Sequence, residues 1–402
     1  METFKFDFRD VLRAPRLAFS LQKMWIQLLG IAGGYVAYLV LTYLSLLAAG
    51  GDLGSTWAKY GLLPCLYVSG EQYPWYSWLL YGLAVVALIA DWLVANTAVS
   101  RATYMVAKGN NFYTWREAYS FAFRKIASVL LTPVSLAVLV GLMIAGAFVV
   151  GLLGKIPYIG ELGISLFTVF WFVAGLFVFF FGLMIAVSLL LVPGIIATTD
   201  EDAFEAIFQT FSISWNKPWK LLFYEALTIV LSVVSLGLFA AVVKEAVFIM
   251  NGLFSAFMGA DFINLANNGQ GMLQSWLFLG QGLVEGLYKD FAHCIYFTNQ
   301  FVLIPAADLP VTVVISSYLY ALSLLFIGLW VLSYGLSTFS IGNTVLYIAL
   351  RKQKDDENLL ERKDKEEEEE DEAEKKAEGE EEAEKKDKDE DDDSAVVEET
   401  KE

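Results

Sequence analysis

The sequence predicts an all-α polytopic membrane protein with about six transmembrane helices, interfacial amphipathic helices and a disordered acidic C-terminal tail. Of its 402 residues, 56% are hydrophobic and the mean hydropathy is +0.52, which is more apolar than an ordinary soluble protein. Several apolar runs reach the roughly 20 residues that cross about 30 Å of hydrocarbon. The acidic residues concentrate after Lys354.

Six runs are predicted to span the bilayer. They cover about residues 24–49, 75–98, 126–153, 163–197, 219–249 and 311–350. Residues 1–23 contain no short apolar core with a cleavage site, so the first span is expected to direct insertion. The fairly apolar segment 251–310 is expected to contain an amphipathic helix on the outer surface or a re-entrant piece.

The basic residues predict the orientation. With both termini cytoplasmic, fifteen lysines and arginines fall on the inner side and four on the outer side. This is a strong positive-inside bias. We therefore expect a multi-pass protein of a bacterial inner membrane, with both termini in the cytoplasm.

Within a transmembrane domain of residues 1–354, three units follow one another, at about 1–98, 99–197 and 198–350. Each unit has an amphipathic segment followed by a hairpin of two spans. A threefold repeat is one interpretation. The other is that cytoplasmic loops of membrane proteins are generally basic and aromatic at the interface.

The second and third entry segments have helical periodicity and helix-start signals. Thr114 and Glu117 form a capping-box pattern, and Asp202 with Glu205 occupies cap positions. Their apolar stripes predict helices that lie in the headgroup plane. The predicted interfacial anchors are Trp115, Phe208, Phe211, Trp215 and Trp219.

The negative charge belongs to the tail, residues 355–402. From Asp355 onward there are 27 acids and 9 bases, whereas the residues before it carry a net charge of about +1. So little apolar surface cannot offset chain entropy, which predicts disorder. The tail is either a solvated brush or a tether for a basic protein or divalent cations. We expect membrane lipids and other proteins as partners, and no nucleic acid.

Three polar residues interrupt the apolar runs near their predicted cytoplasmic ends, namely Asp91, Glu225 and Asn343. An intramembrane acid is costly unless it is paired, protonated or wetted, so such groups usually face the bundle interior. One interpretation is a polar cavity in the inner leaflet that takes a proton or cation. The other is that neighbouring polar groups satisfy these side chains.

Glycines recur in two of the runs. The stretch GIAGGYVAY in the first span and Gly141, Gly146 and Gly151 in the third are predicted to allow close helix packing.

The sequence argues against an enzyme, a cofactor and a metal centre. Its single histidine, His293, excludes multi-histidine metal sites, and no phosphate-binding loop, dinucleotide motif or C-x-x-C is present. Cys65 and Cys294 both fall in predicted outer loops. They are either a disulfide or two free thiols.

In residues 189–231 a span ends at a proline, an acidic turn and a short Ala- and Ser-containing helix follow, and a tryptophan enters the next span. The positions are Pro193, Asp202, Ala206, Ser212 or Ser214, and Trp219. This pattern resembles bacterial polytopic membrane proteins that are similar to the membrane domain of glycerophosphodiester phosphodiesterases. The resemblance implies a six-span helical module, without the phosphodiesterase reaction, which in that family belongs to a separate soluble barrel.

These patterns favour a non-enzymatic scaffold or accessory subunit of a membrane complex. The alternative is a small-molecule or lipid transporter that uses Asp91, Glu225 and Asn343 as its polar site.

Overall fold

The computed structural model describes residues 4–66, 72–278 and 309–362, and every regular element in these ranges is a helix. In chain order the helices are α1 (Phe8–Val11), α2 (Ala14–Ala18), α3 (Leu21–Ala48), α4 (Leu53–Tyr60), α5 (Trp75–Lys108), α6 (Trp115–Arg124), α7 (Ile126–Leu153), α8 (Ile159–Leu166), α9 (Thr168–Thr199), α10 (Ala203–Asn216), α11 (Pro218–Met258), α12 (Ala260–Phe278) and α13 (Val311–Asp355).

Six of these helices, α3, α5, α7, α9, α11 and α13, are long and apolar enough to cross a membrane. The predicted fold class is confirmed, and the chain is a multi-pass membrane protein. A short helix or helix pair precedes the first span of each hairpin. Between the two spans of each hairpin lies a further described helix, namely α4, α8 and the 19-residue α12. The division into three repeated units stays a prediction.

The two longest extensions of the predicted spans occur in α5 and α11. Helix α5 continues to Lys108 rather than ending near residue 98, and α11 continues to Met258 rather than ending near 249. In α5 the extension contains Arg101, whose side chain is buried among protein groups. A charge at that position therefore does not mark the place where the helix meets water.

The tightest packing lies at one end of the bundle, where α5, α9 and α13 finish. We call it the basic end. All residues in 93–105, 191–200 and 340–350 are buried there. The Thr344 hydroxyl donates to Ser100 Oγ at 2.8 Å, and the Ser340 hydroxyl donates to the Asn96 carbonyl at 3.0 Å. These bonds set the register of α13 against α5.

An ion pair closes the basic end between α7 and α9. The Lys125 ammonium lies 2.6 Å from Asp200 Oδ1, and the two side chains are 19% and 4% exposed. The same ammonium donates to the Asp200 carbonyl at 2.8 Å. Asp200 ends α9 with a positive φ of 54°, a conformation that aspartate tolerates better than most residues. The start of α7 is thereby tied to the end of α9.

The other half of the α7–α9 hairpin is open. No described side chain between residues 137 and 183 is buried, and we call this segment the open arm. A Cβ added at Gly141, Gly146 or Gly151 would meet no described atom within 4 Å. The prediction that these glycines pack against a neighbouring helix is wrong for the part of the chain that the structure describes.

Glycine does bring α3 and α5 together. A Cβ at Gly30 would lie 2.3 Å from Ala95 Cβ, and one at Gly34 would lie 2.7 Å from Asp91 Oδ2. Gly30 cannot carry a side chain without moving α5, and a side chain at Gly34 would displace the Asp91 carboxylate. The prediction of close packing is confirmed for the first span.

Helix α6 docks onto the protein. Its predicted capping box is confirmed, with the Thr114 and Glu117 side chains each accepting from the other residue's backbone N–H. Ala118 and Phe121 are buried, and the Tyr119 hydroxyl donates to the Ile26 carbonyl at 2.8 Å. The packed face coincides only in part with the apolar stripe that was predicted to lie in the headgroup plane, since Phe112 and Phe123 of that stripe are 92% and 58% exposed.

Helix α10 leaves its apolar stripe uncovered. The Asp202 side chain accepts from the Glu205 N–H at 3.0 Å, which confirms the predicted cap. Ala206 and Ile213 face the protein, while Phe208 is 56% exposed. This is the orientation expected of a helix whose apolar face meets lipid.

Contacts divide the chain after Glu357, close to the predicted boundary at 354. Arg351 pairs with Asp355 at 2.8 Å and with Glu357 at 2.9 Å, so these two acids belong to the end of α13. The tail was predicted to be disordered from Asp355 onward, but Asp355 is the last residue of α13. Residues 363–402 of the predicted tail lie outside the described residues.

Candidate functional site

Asp91 lies between α3 and α5, with its side chain partly exposed. Its Oδ2 atom accepts from the Gly34 backbone N–H at 3.0 Å, and a Cβ at Gly33 would lie 3.5 Å from its Oδ1 atom. Two adjacent glycines therefore make room for the carboxylate. A backbone donor replaces part of the hydration that the acid loses in the membrane.

A cleft of about 390 Å³ opens beside this carboxylate, between α3, α5 and α13. We call it the Asp91 cleft. Its walls are mainly apolar, and they include Ile31, Leu88, Trp92 and Leu336. An apolar pocket of this volume with few polar groups has the composition of a small-molecule site.

Glu225 and Asn343 meet at a second place, between α11 and α13. The Glu225 carboxylate lies beside the Asn343 amide, and the two side chains are 9% and 3% exposed. Neither side chain has a partner that satisfies strict hydrogen-bond geometry in the described residues. Glu225 and Asn343 therefore form a buried polar pair, and within the described residues no basic side chain forms an ion pair with Glu225.

The three predicted site residues do not form one cluster. The bonds of α13 to α5 place Asn343 level with residues close to Ser100. Asp91 is roughly nine residues, or about 13 Å, further along α5 from the basic end. Contrary to the prediction from the sequence, Asp91 therefore does not lie at the same depth in the membrane as Asn343. Its carboxylate instead accepts a hydrogen bond from the backbone of α3.

Asp91 also influences the phenol of Tyr119, which lies on α6. Burial raises the pKa of the Tyr119 phenol above its usual value, and the negative charge of Asp91 raises that pKa further. A Cβ at Gly30 would lie 3.2 Å from the Tyr119 hydroxyl. The docked helix α6 therefore approaches the same α3–α5 contact that holds Asp91.

Gln27 is a site residue that sequence reasoning missed. It lines the Asp91 cleft and is 0% exposed. Its amide donates to Asn96 Oδ1 at 3.4 Å, while its Oε1 atom has no hydrogen-bond partner in the described residues. Helical periodicity could have found it, because positions 27, 30 and 34 share one face of α3.

Arg101 was also missed, since its charge suggested only the cytoplasmic boundary. Its guanidinium is fully buried, donates to the Ala197 carbonyl at 3.0 Å and lies 4.2 Å from the ring centre of Phe121. One side chain thus joins α5 to α9 and α6. Nothing in the local sequence distinguishes it from an interfacial arginine.

A separate cavity of about 470 Å³ lies at the basic end. Lys23 and Asn111 contribute to its walls, and the Lys23 ammonium donates to the Leu17 carbonyl at 3.0 Å. Its main cation is thus already engaged by the chain.

Of the two cysteines that the sequence leaves either as a disulfide or as two free thiols, only Cys65 lies within the described residues. Cys65 Sγ lies 3.3 Å from the Tyr81 hydroxyl, whereas Cys294 and His293 fall in 279–308, outside the described residues. The choice between a disulfide and two free thiols stays open.

The predicted interfacial anchors differ in exposure. Trp219 and Trp215 are 82% and 76% exposed, while Trp115 and Phe211 are partly buried. The two exposed tryptophans flank the turn from α10 to α11, where an aromatic belt would lie at a membrane interface.

The resemblance of residues 189–231 to the phosphodiesterase membrane domain stays a prediction. Among known proteins, no family model, no curated protein and no solved structure matches this chain.

Proposed function

We propose that this protein is a non-enzymatic scaffold or accessory subunit of a complex in a bacterial inner membrane, with both termini in the cytoplasm. The observation that carries the proposal is the open arm. In the most apolar 18-residue stretch of α7, 6% of the residues are buried within the chain, whereas the corresponding stretches of the other five spans are 22–28% buried. A span that contributes so little to its own bundle is available for another protein.

The composition of the open arm supports a helical partner. Gly141, Gly146 and Gly175 have open space where a side chain would be. Between helices in lipid there is no hydrophobic driving force, so association depends on close backbone approach at small residues. The α3–α5 contact uses glycine in this way, and the open arm offers the same residue type to a transmembrane helix of a partner.

The placement of the polar groups supports a scaffold over a transporter. Asp91 bonds to α3, whereas Glu225 lies beside Asn343 on α13. A transporter with one central site needs its polar groups around one shared cavity. Here they are distributed over two helix contacts.

Photocrosslinking in native membranes tests the partner. A benzophenone amino acid placed at Phe148, which is 72% exposed, should give a protein adduct of one discrete mass. The matched control position is Leu238 on α11, which is 66% exposed and should give lipid adducts alone. Lipid adducts alone at both positions, or the same protein adduct at both, would contradict the scaffold proposal.

A second substitution makes the test independent of folding. A Cβ at Gly146 would meet no described atom within 4 Å, so Gly146→Leu should not lower the thermal unfolding midpoint of the purified chain. The adduct at Phe148 should disappear, because the larger side chain prevents a partner helix from approaching.

The acidic tail is proposed to hold a second, basic partner by charge. Deletion of residues 363–402 is the appropriate variant, since it retains the Asp355 and Glu357 pairs with Arg351. We expect this deletion to release the basic partner at low salt and to leave the Phe148 adduct intact. A partner that remains bound would contradict the tether.

The Asp91 cleft is the one observation that favours the alternative function, a small-molecule or lipid transporter. For a transporter, Asp91→Asn should abolish uptake while the Phe148 adduct remains. For a scaffold, the same variant should leave complex assembly unchanged.

A further inference from the structure

We propose that the Asp91 cleft binds a primary ammonium group carried on an apolar chain, in other words a membrane-soluble amine. This goes beyond the scaffold proposal and does not depend on it, because the cleft is formed by α3, α5 and α13 rather than by the open arm.

The polar groups of the cleft are matched to a donor. Asp91 supplies a carboxylate of which one oxygen already accepts from Gly34. Gln27 adds a buried Oε1 atom with no partner in the described residues. The hydroxyl of Tyr35, which also lines the cleft, already donates to the Leu62 carbonyl. The groups of the cleft that remain available are acceptors, which favours a ligand that carries hydrogen-bond donors.

The carboxylate of Asp91 favours a cationic ligand. An unpaired carboxylate in a mainly apolar setting is expensive, and no basic side chain is among the residues that line the cleft. A bound ammonium would both neutralise Asp91 and donate to it. Such a charge-assisted bond is about twice as strong as a neutral one.

The apolar walls of the cleft fit a ligand with an apolar chain. Leu88 and Ile89 are 37% and 42% exposed on the side of the bundle, so the cleft opens where lipid surrounds the protein. Ile31, Trp92 and Leu336 continue the apolar surface inward. A ligand can thus enter from the bilayer with its chain along these side chains.

Gln27 marks the far end of the site. It lies seven residues before Gly34 on α3, which corresponds to about 10 Å along the helix. One ammonium group cannot reach both acceptors. We therefore expect ligands with a second donor, such as a hydroxyl group about 10 Å from the amine, to bind more tightly than a plain alkylamine.

Binding of dodecylamine to the full chain in phosphatidylcholine nanodiscs tests the proposal, with dodecanol as the uncharged probe. Asp91→Asn retains the shape of the side chain and removes its charge. It should weaken dodecylamine binding by about thirtyfold, because a desolvated charge pair is lost, and should leave dodecanol binding unchanged. Glu225→Gln is the matched control and should change neither.

Two results would overturn the proposal, namely equal dodecylamine affinity in Asp91→Asn and the unaltered chain, or an equal loss in Glu225→Gln. If Asp91→Asn does not fold, Leu88→Trp decides the question, since it fills the cleft from its exposed wall. Loss of dodecylamine binding in that variant would support the site, and full binding would overturn it.

The same assay distinguishes a lipid headgroup from a free amine. Phosphatidylethanolamine has a primary ammonium and phosphatidylcholine has none. If nanodiscs with phosphatidylethanolamine block dodecylamine binding in the unaltered chain, the lipid is the natural occupant. If binding is unchanged there, a free amphiphilic amine is the occupant.

Discussion

The hairpins α3–α5 and α7–α9 have similar compositions and opposite packing. Both are apolar and both contain several glycines, yet Gly30 in α3 is pressed against Ala95 whereas Gly146 in α7 has no described neighbour within 4 Å. The difference lies in what the facing helix offers. In α5 the opposing residues are small or polar, and Asp91 needs the Gly34 N–H, so the two helices approach closely.

The comparison teaches that glycine in a span permits close approach and does not cause it. A second interaction is needed to hold the helices together, since lipid solvates apolar side chains as well as another helix does. At the α3–α5 contact that interaction is the Asp91 bond. In the open arm it would have to come from another molecule.

The largest effect is expected at the packed end. Arg101→Ala leaves a cavity and removes the bond to the Ala197 carbonyl, so the free energy of unfolding should fall by about 3 kcal/mol. The measurement is the thermal unfolding midpoint in detergent. Arg116→Ala, on the exposed side of α6, is the control and should change the free energy of unfolding by less than about 0.5 kcal/mol. Equal shifts in the two variants would show that burial of Arg101 contributes nothing.

The glycine comparison itself is tested by a matched pair. Gly30→Ala places a Cβ at 2.3 Å from Ala95 Cβ, and this overpacking should destabilise the chain by about 2 kcal/mol. Gly146→Ala meets open space and should be neutral, or stabilising by up to about 1 kcal/mol through helix propensity. Thermal unfolding of both variants measures the difference. Equal unfolding midpoints in the two variants would contradict the difference in packing between Gly30 and Gly146.

A smaller effect is expected at the ion pair that ties α7 to α9. Lys125→Gln removes the charge that faces Asp200 at 2.6 Å, and the lysine is 19% exposed. The residual exposure lowers the expected loss to about 1 kcal/mol. High salt should narrow the difference in unfolding midpoint between this variant and the unaltered chain. Lys155→Gln, in the turn after α7, is the control and should have no effect.

The smallest effect is expected in the open arm. Phe148 is 72% exposed, so Phe148→Ala should change the free energy of unfolding of the purified chain by less than about 0.5 kcal/mol. Leu93→Ala, at a position that is 1% exposed, should cost about 3 kcal/mol. A destabilised Phe148→Ala variant would mean that the arm packs within the chain.

Much of the fold could be predicted because it follows from local properties. The bilayer thickness fixes span length, and the predicted span of 126–153 coincides with α7. The caps at Thr114 and Asp202 depend on residues within one helical turn. These signals need no knowledge of neighbouring helices.

The candidate site could be predicted only in part. Asp91, Glu225 and Asn343 were found because polar residues in apolar runs are rare. Their grouping failed for Asp91, because relative depth depends on helix register, which the bonds from Ser340 and Thr344 to α5 decide. Gln27 became visible once α3 and α5 were placed side by side.

The sequence by itself determined that this chain is a helical membrane protein with six spans and where most of its helices begin, because transfer of apolar residues to lipid and the capping of helix ends are local. Tertiary structure alone decided that Arg101 is a core residue, that Gly30 is crowded while Gly146 is open, and that Asp91 lines a cleft apart from Glu225. Each of these depends on which helix lies opposite, and the facing helix comes from a distant part of the chain.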